Sequence, residues 1–207
     1  MMRRFRQFPQ IGGKRGGIPS GWVEVEWIAN NSAGQMIDTG IGIDVGIKME
    51  VVESYAITSI RQIWGASSVG WFFGCNANGY YEVNSFNTTY PITNDEPLTL
   101  TVNCTLKTVD LYADISIVSA TNQYSLTDYH YPPRSGTINL FAFGSSYFAA
   151  GHRYYKVDFY RNENKVLSLV GVRNATTGEI AMCDVLTGDI YRNRGTGAFV
   201  AGPDKRE

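Results

Sequence analysis

The sequence predicts an all-β protein, a sandwich or barrel of short antiparallel strands preceded by an extended N-terminal arm. Three observations carry that prediction. The first is composition: Thr, Val and Ile occur 16 times each and Tyr 13 times, against nine Leu, in 207 residues. β-Branched and aromatic side chains fit a pleated, half-buried surface, whereas a helical chain leans on Leu, Ala, Glu and Lys. The second is apolar alternation with a period of two, and the third is the turn-forming dipeptides between the alternating runs. With 43% hydrophobic and 18% charged residues the chain is globular, and its length is enough for a large core.

The elements follow in chain order. Residues 9–21 read PQIGGKRGGIPSG, with five Gly and two Pro in thirteen positions. Such a stretch forms neither a stable helix nor a central strand. Residues 1–20 are therefore assigned to an extended arm and 21–204 to the folded domain. In WVEVEWI, Trp22, Glu24, Glu26 and Ile28 share one face, opposite Val23, Val25 and Trp27. In LTLTVNC, Leu98, Leu100, Val102 and Cys104 form the apolar face. The phase reverses near Lys107-Thr108, where Val109, Leu111, Ala113, Ile115 and Ile117 take over, so a hairpin is placed there. TINLFAF, RYYKVDFY and KVLSLVGV read as three further strands. Asn78-Gly79 and Asn162-Glu163-Asn164 mark tight turns, and Thr177-Gly178 and Thr187-Gly188 punctuate the C-terminal region ten residues apart. No helix longer than about three turns is predicted.

Charge is unevenly spread. Arg3, Arg4, Arg6, Lys14 and Arg15 give the arm five positive charges and no negative one. The remainder keeps 13 positive and 19 negative charges, so a basic arm precedes a mildly acidic body. The body has no basic excess, and no dedicated nucleic-acid site is expected. No run of about 18 apolar residues occurs, so no transmembrane helix is expected. The charged start, MMRRFR, is followed by no apolar segment of the secretory kind. Cys75, Cys104 and Cys183 are odd in number and far apart, which points to a reducing cytoplasm rather than a disulfide framework.

At the C-terminal end, the segment from Val157 to Asp204 carries a more specific pattern. A strand ends in a turn at Asn164, and an aliphatic strand follows it and ends near Arg173. A G-E-x-x-x-x-D hairpin uses Gly178, Glu179 and Asp184, with Gly188 in the next turn. A closing G-T-G-x-F-x-A-G-P uses Gly195, Thr196, Gly197, Phe199, Ala201, Gly202 and Pro203. Upstream, WIANNSAGQMIDTGI places Gln35, Ile37, Asp38, Thr39 and Gly40, and IWGASS and TVNCTLKTVDLYAD follow. Over roughly residues 24–203 this resembles the laminin-G-like, concanavalin A-like jelly-roll domains of phage and gut-bacterial proteins. The resemblance implies two antiparallel sheets packed as a jelly roll, with the segment from Gly178 to Phe199 closing the fold near the first strand. It implies lectin-like, virion or cell-surface roles only loosely, because fold does not settle function. The matched glycines suit turns, and Arg173 and Asp184 suit hydrogen-bonded pins of the closing hairpin.

No catalytic residue is assigned. Glycoside hydrolysis needs paired carboxylates, and Glu24 and Glu26 come nearest but lack a third partner. His130 and His152 are 22 residues apart and lack a nucleophile elbow. IGGKRGG lacks the GxxxxGK[ST] of a phosphate loop. No cofactor or metal is assigned; Asp38, Asp44 and Asp95 are loop candidates for a calcium ion without a ligand ladder. Aromatics near turns (Trp71, Tyr80, Tyr81, Tyr90, Tyr129 and Tyr131) suit either sugar stacking or core packing. Tyr129, His130, Tyr131 and Arg134, in a segment read as a Pro-stiffened loop, form the candidate glycan or protein contact.

The expected function is a non-enzymatic phage virion structural protein, of capsid-decoration or head-fibre type, assembled in the host cytoplasm. Its arm would bind other virion proteins through Arg3, Arg4, Arg6, Lys14 and Arg15, with Phe5 and Phe8 as apolar anchors. It would be a homo-oligomer or bound to a lattice. The alternative is a glycan-binding adhesin or tail receptor-binding module, with a glycoside hydrolase a distant third. A tail-fibre tip usually follows a long shaft, and no coiled coil, collagen-like repeat or β-helix is present in the sequence.

Overall fold

The computed structural model describes residues 16–31, 34–42, 46–55, 62–66, 71–75, 78–83, 86–107, 110–131, 136–143, 146–147 and 151–205. Among them every regular element is a strand. The first half contains β1 (Trp22–Glu24), β2 (Ile28–Ala29), β3 (Ile37–Gly42), β4 (Ile47–Tyr55), β5 (Gln62–Ala66), β6 (Trp71–Cys75), β7 (Tyr80–Val83), β8 (Phe86–Pro91) and β9 (Leu98–Lys107). The second half contains β10 (Asp110–Ser119), β11 (Gln123–Tyr131), β12 (Thr137–Leu140), β13 (Ala142–Phe143), β14 (Ser146–Tyr147), β15 (His152–Arg161), β16 (Asn164–Asn174), β17 (Ile180–Asp184), β18 (Ile190–Tyr191) and β19 (Val200–Ala201).

The pairings are antiparallel. The larger sheet runs β11-β10-β9-β4-β15-β16-β17-β18, with β1, β2 and β19 joined beside β15 and β16. The second sheet runs β3-β12-β5-β6-β7-β8, and β13 pairs with β14. Inward side chains of both sheets meet in one hydrophobic cluster. Ile37, Phe73, Tyr90, Ile138 and Leu140 from the smaller sheet join Met49, Val51, Leu100, Val102, Ile115, Val157, Phe159 and Leu169 from the larger. Each fully buried side chain of this kind contributes about 1.5–3 kcal/mol.

The predicted β9–β10 reversal is present: Leu98, Leu100, Val102 and Cys104 are buried, then Ala113, Ile115 and Ile117, with Asp110 paired to Lys107. The alternation of WVEVEWI is not kept. Val25 and Ile28, assigned opposite faces by period two, are both fully buried. The reason is a break at Glu26-Trp27, where the chain passes from one strand neighbour to another. β1 pairs with β16, and β2 pairs instead with β15. The crossing is tight at Gly171, where an added Cβ would meet Ile28 Cγ2 at 2.6 Å and Val25 Cγ2 at 2.9 Å. The chain's other end closes the same place: β19 pairs with β2, and Val25 bridges to Asp204.

The outer face of β16 and β17 carries a second cluster, Val170, Val172, Ala181 and Cys183, covered by Ile18 and Trp22. Gly16 lies against the β17–β18 turn, since a Cβ there would meet the carbonyl oxygens of Val185 and Leu186 at 2.5 Å. Residues 16–20, which the sequence assigns to the arm, are thus attached to the body.

Two substitutions test this arrangement. The β15–β16 turn places Asn162 at φ 48° and Glu163 at φ 64°, a two-residue hairpin turn with both central residues left-handed. Glu163 gains only a weak attraction to the Lys48 ammonium there, less than its Cβ costs, so Glu163→Gly is expected to raise unfolding free energy by about 1 kcal/mol in urea titration. Gly171→Ala is expected to lower it by about 1–3 kcal/mol, through overpacking against Val25 and Ile28.

Candidate functional site

Period two along β4 turns Ile47, Met49, Val51, Glu53 and Tyr55 inward, so one carboxyl group enters an apolar face. Glu53 is fully buried and fully engaged. Tyr55 Oη donates to Glu53 Oε1 at 2.8 Å, and Tyr81 Oη, from the opposite sheet, donates to the same oxygen at 2.6 Å. His152 Nε2 lies 2.9 Å from Glu53 Oε2. The His152 ring stacks on Tyr55 at 4.6 Å and packs beside Tyr154 at 4.3 Å. Burial, and then the neighbouring Glu53 carboxyl, push the phenols of Tyr55, Tyr81 and Tyr154 well above their ordinary range. Tyr55 and Tyr81 therefore stay protonated donors. His152 Nδ1 has no hydrogen-bond partner among the described residues. Period two puts a carboxylate among apolar neighbours, which is the signal for Glu53 in the sequence. Its partners, from β7 and β15, are set only by the fold.

The surface offers an open cleft of about 710 Å³ where Glu26, β4, β15 and the last described residues meet. A bulge between Tyr154 and Lys156 presents Tyr155 and Lys156 on the same side as Val52. Pro203, Asp204 and Lys205 form the opposite wall, held by Glu26 N–H to Pro203 O and Lys205 N–H to Glu24 O. Most charges here are internally matched. Lys205 bonds Glu24, Asp204 takes a forked contact from Arg173, and Lys156 bonds Asp158. Burial would raise the Asp158 carboxyl, but Lys156, Lys165 and Ser168 outweigh it and hold the group below its usual range. Glu26 is exposed, and its carboxylate has no hydrogen-bond or ion-pair partner among the described residues.

A second cleft, of about 410 Å³, lies between Asp38–Gly40 of β3 and Asp189–Arg192, with Arg194 at its edge 3.5 Å from Asp38. Beside it the two Thr-Gly turns share one construction. Asn174 Oδ1 accepts from the N–H groups of Thr176 and Thr177, and Asp184 Oδ1 accepts from that of Leu186. Gly178 and Gly188 then take φ 74° and 79°, so the matched residues Gly178, Asp184 and Gly188 serve turns, with Asn174 beside them.

The candidate contact patch is not a loop where it is described. Tyr129 and His130 belong to β11, paired with Ala113 and Tyr112 of β10, because the polar alternation of QYSLTDYHY suits an edge strand. They point to opposite faces: Tyr129 packs against the core, and the exposed His130 ring lies 5.2 Å from Tyr112. Tyr131 is a strand residue paired with Leu111, and Arg134 lies outside the described residues. So do Arg3, Arg4, Phe5, Arg6, Phe8, Lys14 and Arg15 of the arm, and Asp44. Tyr81 and Tyr90 are core residues, while Tyr80 is exposed. Asp38 faces Arg194, and Asp95 bonds Arg153 at 2.6 Å. Among the described residues, no group of three or more His, Cys, Asp or Glu is placed to hold a metal ion.

Compared with known proteins, the chain matches no family, no curated protein and no solved structure. The fold and its sites define a class: an all-β protein of antiparallel sheets with a buried polar hub and open surface clefts.

The hub makes a sharp stability test. Glu53→Leu strands two phenolic hydroxyls and an imidazole nitrogen, and is expected to cost about 3–5 kcal/mol in urea unfolding. Glu53→Gln keeps an acceptor for both tyrosines and is expected to cost clearly less.

Proposed function

We propose that the chain is a non-enzymatic structural protein of a phage particle, a capsid-decoration or head-fibre protein displaying a concanavalin A-like jelly-roll sandwich. The observation that carries this reading is how the body completes itself. The strands beside β15 and β16 come from Trp22–Ala29 and Val200–Ala201, and Gly16–Ser20 already lies on the β17–β18 turn region. Residues 1–15 carry five positive charges and two Phe, a composition that suits an attachment segment. The shared core of the two sheets is what the family resemblance implies. The buried nucleophiles suit a structural role: burial raises the Cys104 thiol to about 12 and the Cys183 thiol to about 11. His152 is enclosed with Glu53, out of reach of a substrate.

A glycan-binding adhesin or tail receptor-binding module is the second reading. It is favoured by the two open clefts, each with a tyrosine beside hydrogen-bonding charged groups. A glycoside hydrolase ranks third, because Glu24 is tied to Lys205 and leaves Glu26 without a paired carboxylate from β1.

Deletion of residues 2–15 tests the attachment. The truncated protein is expected to keep its melting temperature to within about 2 °C and to stop co-purifying with particles. Attachment of the full chain is expected to weaken as salt rises. Co-purification of the truncated protein at the wild-type level overturns the proposal. Incubation with a polysaccharide panel is expected to release no reducing ends; release that disappears in Glu26→Gln would establish hydrolysis instead.

A further inference from the structure

We infer that residues 16–20 form a strap that opens while both sheets stay folded, uncovering an apolar strip on the outer face of β16 and β17. These five residues behave so whatever residues 1–15 bind.

Period two turns Leu167, Leu169 and Met182 into the core and leaves Val170, Val172, Ala181 and Cys183 on the opposite face. The outer face of an antiparallel sheet is ordinarily polar, as it is nearby where Ser168 Oγ donates to Asp158. Here it is apolar, and yet the four side chains are buried. Ile18 and Trp22 shield them, with Val185 and Ile190 alongside.

The two halves of this cover are held differently. Trp22 belongs to β1 and is fixed by the ladder, paired with Asn174. Residues 16–20 have no such support. Among the described residues their one hydrogen bond runs from Trp22 N–H to Pro19 O, a turn at the segment's own end. Ile18 and Pro19 are half-buried, and residues 16, 17 and 20 are exposed. The rest of the attachment is close fit. Gly16 lies on the Val185 and Leu186 carbonyls, and Gly17 O stands 3.3 Å from where a Cβ on Gly188 would be. Gly17 and Gly21 take φ 129° and 85°, with nothing within 4 Å of an added Cβ, so both can act as hinges. A cover with one aliphatic anchor and no backbone bond to the sheet opens more readily than the strands it hides, because local opening costs only the contacts it breaks.

Opening presents Cys183 and the valines beside it as an adhesive strip that the closed molecule keeps covered. The Cys183 thiol reports the event. In the closed form burial, and after it the nearby Asp184, Asp189 and Glu24, push that thiol up to about 11. Cys104 is the internal reference, since it is buried in the core between the sheets and is reached only when they separate.

Labelling of the folded full chain with N-ethylmaleimide, read cysteine by cysteine through peptide mass spectrometry, tests the strap. Cys183 is expected to react at least about tenfold faster than Cys104, and at least about tenfold slower than in the urea-unfolded chain. In low urea the Cys183 rate is expected to stay nearly flat while the Cys104 rate climbs, because opening the strap exposes little surface. Ile18→Ala removes the anchor, and Gly16→Ala drives residue 16 off the two carbonyls. Each is expected to speed Cys183 labelling by about threefold to tenfold and to leave its flat urea response in place. Cys183 protected as strongly as Cys104, with the same urea slope, overturns the inference, since the strap then opens only with global unfolding. Labelling of Cys183 at the unfolded rate overturns it as well, because the strap then does not close. So does a Cys183 rate indifferent to both substitutions.

Discussion

Glu53 sits where no water reaches, and three elements are organised around satisfying it. A buried carboxyl group without partners costs several kcal/mol, so its neighbours must bring donors. Tyr55 brings one from the same strand, His152 from β15, and Tyr81 from the opposite sheet. The last of these matters most for the architecture. Hydrophobic contact between two sheets is non-directional and tolerates sliding, whereas a 2.6 Å hydrogen bond to one oxygen does not. The hub therefore sets the position of β7 over β4, and apolar packing fills in around it.

A second constraint comes from the ends of the described chain. The segment from Trp22 to Ala29 crosses between β15 and β16, and Val200 to Asp204 closes over it. The crossing needs Gly171, because no side chain fits beneath Val25 and Ile28. It also builds an open surface cleft, since the kink that exposes Glu26 and the return of Pro203–Lys205 are the same event seen from outside. Core closure and candidate binding surface are thus produced by one local geometry. The described chain begins at Gly16, over the β17–β18 turn and away from this crossing.

The sequence alone determined the strand content, the β9–β10 hairpin with its phase reversal, and the turns at Asn78-Gly79, Asn162-Glu163, Thr177-Gly178 and Thr187-Gly188. These features are legible because their causes are local: period-two alternation, and backbone angles that only certain residues adopt readily. The tertiary structure decided the rest. It broke the alternation of WVEVEWI, because two neighbouring strands compete for that segment. It placed Tyr129 and His130 on opposite faces of an edge strand, since pairing with β10 outweighs the Pro residues that follow. It also brought Glu53, Tyr55, Tyr81 and His152 to one point and left Glu26 unmatched at a cleft, because those meetings depend on sheet order and register, which join residues as many as 181 positions apart.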